Sequence, residues 1–196
     1  MIRRRRVNQP MPSFSHNEDL GELYEEFFPK VFSYVSYRVG SVHQTEEIVS
    51  IVFLRAAESY PRFRWQHDQS FSAWVFRITQ NAISDFHRKG QAQRTSLSLD
   101  DLPEIASDET PIEQKLFMKE RFKLLREVIS SLAPRAQEVI TLRFFGELSN
   151  QEIAEVLGVE QRTVSGYLTR GLRDLEARYL LRIVDQTREE SHHGDR

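Results

Sequence analysis

Residues 149–175 read SNQEIAEVLGVEQRTVSGYLTRGLRDL, and this stretch decides the fold. Ser149 followed three residues later by Glu152 is a capping box, which predicts the start of a short helix. Gly158 stands where the chain must turn, and glycine adopts a positive φ there without steric cost. A second helix is predicted over residues 161–179. The apolar residues that this helix is expected to bury are Val164, Leu168, Leu172 and Leu175. Two helices joined by a glycine-containing turn form a helix-turn-helix.

The N-terminal half of the second helix is predicted to be exposed, and this is the part of such a motif that enters a major groove. Its polar residues are Gln161, Arg162, Thr163, Ser165, Tyr167, Thr169 and Arg170. The same pattern also fits an ordinary αα-hairpin within a helical bundle. DNA binding is therefore a hypothesis, and the αα-hairpin is its alternative. Few cations lie on this face, and DNA affinity from so few phosphate contacts would be modest and dependent on salt.

Composition excludes several classes of protein. The chain has 196 residues and no cysteine, so disulfide scaffolds, thiolate metal sites and a cysteine nucleophile are excluded. Its apolar runs are far shorter than the roughly 20 residues of a membrane span, and no apolar segment follows the basic residues 3–6. We therefore expect a cytoplasmic protein that does not insert into membranes. The six histidines show no metal-ligand spacing, and no phosphate loop or nucleophile elbow occurs, so we expect no metal, no cofactor and no enzyme activity.

The rest of the chain also has the apolar spacing of helices. The first predicted helix covers residues 20–39, with a break or kink near Pro29, and Gly40 ends it. Thr45 is predicted to cap a helix over residues 46–60. After a polar, aromatic-bearing loop at 61–70, a third helix is expected over 71–89. Its predicted inner face comprises Phe71, Val75, Ile78, Ala82 and Phe86, and its outer face comprises Arg77, Asn81, Ser84 and Arg88.

Charge divides the chain into parts. Residues 1–98 carry a net charge of +3, residues 99–120 carry −5, and residues 121–196 are neutral. The acidic part lacks helical periodicity up to residue 109, after which Thr110 and Pro111 predict a new helix start. Pro134 predicts another helix over residues 135–145. The sequence therefore predicts an all-α protein of two small helical domains joined by an acidic linker, without strands.

Two further motifs, taken with the helix-turn-helix, carry a family resemblance. The stretch TEEIVSIVFLRA at residues 45–56 is similar to a family pattern that reads roughly DAEDLVQETFLR. The stretch FSAWVFRITQNA at residues 71–82, with Asp85 and Arg88, resembles AWLxRIAxNxxxDxxR. LYEEFFP at residues 23–29 resembles the opening helix of sigma region 2, and LAPR at residues 132–135 resembles sigma region 4. In this order and spacing, the motifs resemble the extracytoplasmic-function (group 4) sigma factors of the sigma-70 family.

The resemblance implies a transcription initiation factor that binds the largest subunits of core RNA polymerase and recognises the −10 and −35 elements of promoter DNA. An anti-sigma factor is implied as a further partner. The implied organisation is a basic N-terminal arm (1–19), a region 2 domain (20–90), a linker (91–114), a region 4 helix-turn-helix domain (115–182) and a polar tail (183–196). The alternative is a stand-alone dimeric helix-turn-helix regulator, which would leave the motifs of residues 45–89 without a role.

The resemblance also implies site residues. Those assigned to core polymerase are Glu47, Ile48, Ile51, Val52 and Arg55, with Glu47 and Arg55 as a polar rim around the apolar three. Those assigned to the −10 element are Arg62, Phe63, Arg64, Trp65, Trp74, Arg77, Asn81, Arg88 and Lys89. Those assigned to the −35 element are Gln161, Arg162, Thr163, Ser165, Tyr167 and Arg170. Residues 165–167 (SGY) depart from the family's common KSR, so −35 specificity is expected to differ.

Overall fold

A computed structural model describes residues 18–63, 71–90 and 112–193, which are helical and contain no strand. The helices are α1 (Glu18–Val39), α2 (Val42–Ser59), a 3-10 turn (Tyr60–Arg62), α3 (Phe71–Gly90), α4 (Ile112–Ser130), α5 (Pro134–Phe144), α6 (Asn150–Leu157) and α7 (Gln161–His193). The predicted all-α class is confirmed over these ranges. Helix α4 begins inside the predicted linker. The remainder of that linker, the basic arm and the cap predicted at Thr110 and Pro111 lie outside the described residues.

The sequence predicts a break or a kink near Pro29; helix α1 runs through this residue as one helix, so the break is wrong. Proline removes the hydrogen bond that its nitrogen would donate to the carbonyl of Glu25. Pro29 and Glu25 are both exposed, so that carbonyl is accessible to water. Phe27 and Val31, on the opposite side of α1, are buried in the core and hold the helix in place.

Helix α2 begins one turn earlier than the sequence predicts. Gly40 has a φ of 76°, which confirms its role in ending α1. Ser41 then takes the N-cap position with extended backbone. Thr45, predicted to be the cap, is instead buried within the helix, and its Oγ1 donates a hydrogen bond to the Ser41 carbonyl over 2.7 Å. A threonine hydroxyl that bonds back to the preceding turn is compatible with a helix interior.

The second helical unit, α4–α7, is held by close approach of α5 and α7. A Cβ atom placed on Gly171 would lie 3.0 Å from Cδ1 of Ile140 and 3.1 Å from Cβ of Ala136, so the absence of a side chain allows this contact. Leu172 therefore faces away and is 36% exposed, which corrects the prediction that it is buried. Helix α7 also continues past residue 179 to His193, through most of the predicted polar tail.

The two helical units pack against each other. One core cluster contains Val35 and Phe76 from the first unit together with Leu142 and Ile153 from the second. Phe76, which the sequence did not assign to the inner face of α3, is fully buried because Gly146 of the second unit lies on its ring. This shared core places α6, the first helix of the helix-turn-helix, against α3.

Candidate nucleic-acid interface

The helix-turn-helix has the local structure that its sequence predicts. The Glu152 N–H donates to Oγ of Ser149 over 3.2 Å, and the Ser149 N–H donates to Oε2 of Glu152 over 2.7 Å, which completes the capping box. Gly158 ends α6 with a φ of 64°, in the left-handed region. Val164 is fully buried and anchors the start of α7. These contacts fix the orientation of α7 relative to α6.

The start of α7 presents polar side chains to solvent. Gln161 and Arg162 are exposed, and Thr163 is half-buried. Arg170 is exposed one turn beyond Gly166, and its guanidinium lies 5.5 Å from the ring centre of Tyr167. These side chains have the placement that a groove-reading helix requires, with cations able to reach phosphates beside it.

Two residues assigned to the −35 element also have structural contacts. Oγ of Ser165 accepts a hydrogen bond from Nδ2 of Asn150 over 3.1 Å and donates to the carbonyl of Gln161 over 3.1 Å. Tyr167 packs half-buried against the shared core. Both residues therefore help to join α6 to α7, in addition to any contact with DNA.

The outer face of α3 is exposed as predicted, at Arg77, Asn81, Ser84 and Arg88. Nε of Arg77 donates to the carbonyl oxygen of Glu155 in α6 over 3.2 Å, and Nη2 of Arg77 donates to the same oxygen. Asn81 lies one turn further along α3. Three −10 candidates on this helix, Arg77, Asn81 and Arg88, therefore form one exposed stripe, and the second helical unit engages Arg77.

An aromatic cluster adjoins this stripe. Phe63 and Trp74 are half-buried, and their ring centres are 4.7 Å apart. The ring of Phe71 lies 4.9 Å from that of Trp74 and is buried beneath it. Partly exposed aromatic rings on a rigid base can stack on unpaired bases. Exposed Arg62 lies beside Phe63, whereas Arg64, Trp65 and the side chain of Lys89 lie outside the described residues.

Asp85 pairs with two arginines at the surface of the first unit. Its carboxylate accepts from Nη2 of Arg55 over 2.9 Å and from Nη2 of Arg88 over 2.8 Å. Arg55, which the sequence analysis assigned to a polar rim on α2, is thus paired with α3, and 41% of its side chain stays exposed. The Arg55–Asp85 pair joins α2 to α3, whereas the Arg88–Asp85 pair lies within α3 and leaves Arg88 80% exposed.

The polymerase-binding prediction on α2 requires a correction. Ile48 and Val52 are fully buried in the core, so they cannot lie on a contact surface. Glu47 is exposed and Ile51 is half-buried, and both remain available. Sequence analysis missed Leu54, which is 61% exposed. The seven-residue spacing from Glu47, two helical turns, is the signal that would have placed Leu54 on the outward face.

Burial keeps the side chains of two tyrosines in their uncharged form. Desolvation by burial raises the pKa of Tyr37 to about 12, although the positive charges of Arg126 and Arg38 act in the opposite direction. Burial also raises the pKa of Tyr34. The pKa of His87 is lowered, first by desolvation and then by Arg38. At neutral pH the two tyrosines are protonated and act as packing and hydrogen-bonding groups in the core.

Over the described ranges, no cluster of three or more His, Asp or Glu side chains is arranged to hold a metal ion. Within the same ranges, no helix is long and apolar enough to cross a membrane. The site residues that the sequence predicts lie on three surfaces of the described structure: the outer face of α2, the outer stripe of α3 with its aromatic cluster, and the start of α7.

Two family models match the chain. The model of sigma-70 region 2 matches residues 23–93, and the model of sigma-70 region 4 matches residues 122–175. One match lies in each helical unit. The region 2 match lies entirely outside the helix-turn-helix, so the alternative of a stand-alone regulator is not favoured.

Characterised relatives carry the same assignment. The chain is 30% identical to the ECF RNA polymerase sigma factor BldN of Streptomyces coelicolor, over 79% of this chain and 58% of BldN. It is 27% identical to the RNA polymerase sigma factor SigZ of Bacillus subtilis, over 78% of this chain and 82% of SigZ. The chain thus spans less than two thirds of BldN but most of SigZ.

Solved structures share the fold. CnrH in complex with the cytosolic domain of CnrY superposes with a TM-score of 0.58 at 21% identity, over 82% of this chain and 86% of that one. RpoE in complex with the anti-sigma factor NepR from Bartonella quintana superposes with a TM-score of 0.61 at 15% identity, over 82% of this chain and 96% of that one. With a region 2 unit, a region 4 helix-turn-helix and relatives of this kind, the chain belongs to the sigma-70 family as an extracytoplasmic-function sigma factor, a transcription initiation factor for RNA polymerase.

Proposed function

We propose that the outward face of α2 is the surface that binds core RNA polymerase. Leu54 is the largest exposed apolar side chain on this helix, and Ile51 lies half-buried beside it. Exposed Glu47 lies two turns before Leu54 and adds a polar margin. An apolar centre with a charged margin is the usual composition of a protein interface. Buried Ile48 and Val52 support this face from within.

The α3 stripe and its aromatic cluster would read and open the −10 element. Opening a duplex costs a few kcal/mol for each unstacked base, and stacking on aromatic rings returns about 1–3 kcal/mol per base. Phe63 and Trp74 offer partly exposed rings for that purpose. Asn81 offers an amide that can pair with a base edge, and Arg88 lies about two turns beyond it for phosphate.

The start of α7 would read the −35 element. Gln161, Arg162 and Thr163 are the foremost side chains of the recognition helix, and Arg170 lies further along the same helix. The observation that supports the proposal is the completed capping box and the left-handed turn at Gly158, which join α6 to α7 as in a helix-turn-helix.

The same assignment has consequences for the location of the chain, for catalysis and for a further partner. We propose that the chain works in the cytoplasm, that the polymerase performs the chemistry while this chain catalyses nothing, and that an anti-sigma factor is a natural partner. Support for the last point comes from the NepR complex of RpoE, which has the same fold. Exposed apolar groups on both units, such as Leu54 and Phe144, offer contact area for such a partner.

The test is transcription reconstituted with core RNA polymerase on genomic DNA, with the start sites mapped. The wild-type chain should co-elute with core enzyme and initiate from a small set of promoters that share two elements. Arg162→Ala should weaken use of those promoters and lower the salt dependence of binding by about one phosphate contact. Arg182→Ala, an exposed arginine of α7 beyond the region 4 match, is the matched control and should change neither. Failure of the wild-type chain to co-elute with core at low salt would contradict the proposal.

A further inference from the structure

The recognition helix has a glycine at the middle of its outward face. Val164 and Gly171 lie buried on the inward side of α7, and Gly166 is two residues after the first and five before the second. At 3.6 residues per turn, these spacings turn Gly166 about 140–160° away from both. Exposed Arg162 lies four residues before Gly166, and exposed Arg170 lies four residues after it. Residue 166 thus lies where a DNA-reading helix comes closest to the groove.

The guanidinium of Arg170 covers this glycine. Gly166 is half-buried in spite of its outward position, and a Cβ atom built on it would lie 3.5 Å from Nη2 and 3.6 Å from Nη1 of Arg170. Long side chains of a helix lean toward its N-terminus, which brings residue 170 over the turn that contains residue 166. Arg170 therefore lies back along α7, in van der Waals contact with the place where a side chain of residue 166 would begin.

The ring of Tyr167 supports the same guanidinium. Cζ of Arg170 lies over this ring, 5.5 Å from its centre. The face of an aromatic ring attracts a guanidinium electrostatically. Tyr167 is half-buried and packs against the core cluster that contains Val164, so the ring is itself held in place. A guanidinium that is held before DNA binds loses less rotamer freedom when it makes its contact.

This arrangement gives a physical account of the departure at residues 165–167. The family's common KSR would place cations at 165 and 167, whereas this chain has Ser165 and Tyr167. Oγ of Ser165 accepts a hydrogen bond from Asn150 of α6, and Tyr167 packs on the core, so both residues serve the structure of the motif itself. Arg170, lying over Gly166, brings a positive charge back to the middle of the outward face.

We propose that Tyr167 is a positioning residue that holds Arg170 over Gly166, and that Arg170 in this position selects guanine in the −35 element. The inference rests on the proposed reading of this element by α7. The planar guanidinium can donate two parallel hydrogen bonds to O6 and N7 of guanine in the major groove. A cation within the groove also displaces counterions, so base preference, and not salt dependence, is the quantity that tests this role.

The test uses the full-length chain bound to core polymerase, on a promoter that the wild-type chain uses, with each −35 base pair varied in turn. Arg170→Ala should lower the preference for guanine at one base pair about tenfold or more. Tyr167→Leu keeps an apolar side chain against the core but removes the ring, and should lower the same preference about threefold. Tyr167→Phe retains the ring and should keep the wild-type preference. Arg182→Ala, at an exposed position further along α7, is the matched control and should also keep it.

A double variant separates positioning from a merely structural role. If Tyr167 acts through Arg170, Tyr167→Leu should cause no further loss of guanine preference in the Arg170→Ala background. Additive losses, a loss in Tyr167→Phe, or a wild-type preference in Arg170→Ala would overturn the inference. Circular dichroism establishes that each variant keeps its helices. If Tyr167→Leu lost them, Gly166→Leu should lower the preference in its place, because the new side chain would fill the place of the guanidinium.

The same measurements report separately on the proposed function. Initiation by the wild-type chain that is indifferent to every −35 base pair would contradict the proposed role of α7, and with it this inference. A wild-type −35 preference that Arg170→Ala leaves unchanged would contradict only the roles of Arg170 and Tyr167.

Discussion

Replacing Leu54 by aspartate tests the proposed polymerase-binding surface without changing the core beneath it. Leu54 is 61% exposed, so its replacement should change the free energy of unfolding by no more than about 0.5 kcal/mol. A central apolar anchor of an interface contributes about 2 kcal/mol or more, which corresponds to a loss of about 30-fold in affinity. We therefore expect Leu54→Asp to melt like the wild-type chain and to bind core polymerase at least 30-fold more weakly.

Val52→Asp, two residues away on α2, should behave in the opposite way. Val52 is fully buried, so the substitution removes about 1.5–3 kcal/mol of apolar burial and adds several kcal/mol for a desolvated carboxylate. That sum is comparable with the whole stability of a small domain, about 5–15 kcal/mol, and the region 2 unit should unfold.

The two variants are compared by thermal unfolding in circular dichroism and by competition for core polymerase against a labelled wild-type chain. Leu181→Asp is the matched control, since Leu181 is 66% exposed and lies on α7 beyond the region 4 match. It should leave both melting and binding unchanged. Wild-type affinity of Leu54→Asp for core enzyme, or a folded Val52→Asp, would refute the assignment of the α2 surface.

Three further predictions concern single positions. Asn81→Ala should reduce promoter opening, detected by permanganate reactivity, more than core binding; equal losses would contradict a DNA contact. Gly158→Ala places a Cβ on a backbone with φ of 64° and open space around it, so strain alone should cost about 1–2 kcal/mol, visible as a Tm lowered by about 2–8 °C; an unchanged Tm would contradict this. The pKa of Tyr37 rises to about 12 on folding, so this tyrosine contributes to the free energy of unfolding. The contribution is fully present below pH 10 and is lost as the pH rises through about 12. Tyr37→Phe should therefore lose less stability than wild type over that interval in alkaline denaturation, and parallel curves would refute the burial effect.

Local signals in the sequence predicted the helix-turn-helix well because its structure depends on local chemistry. A capping box and a left-handed glycine act within a few residues, and the Ser149–Glu152 pair and Gly158 adopt the predicted geometry. The sequence alone does not determine where α2 begins, because both Ser41 and Thr45 are residues that can cap a helix N-terminus. Only the packing of Thr45 into the core, with its hydroxyl bonded to the Ser41 carbonyl, selects the earlier start.

Predictions that depended on long-range packing were less successful. An apolar helical face does not reveal whether it is covered within the chain or by a partner, and Ile48 and Val52 were assigned to the partner although the core covers them. The pairing of Arg55 with Asp85 joins residues 30 positions apart, and the contact of Arg77 with Glu155 joins residues 78 apart. No periodicity within one helix encodes such contacts. The boundary between the two units was missed for the same reason.

The small number of cations on the recognition helix limits the affinity of the chain alone for DNA. If Arg162, Arg170 and Arg173, all exposed on α7, each neutralise one phosphate, the logarithm of the binding constant falls with the logarithm of salt concentration with a slope of about −2.7. If core polymerase holds both units on one template, engagement of the second element becomes intramolecular, and avidity can exceed either single affinity by about 10²–10⁴. Promoter recognition would then depend on polymerase for more than catalysis, because tethering the units provides affinity that three arginines do not.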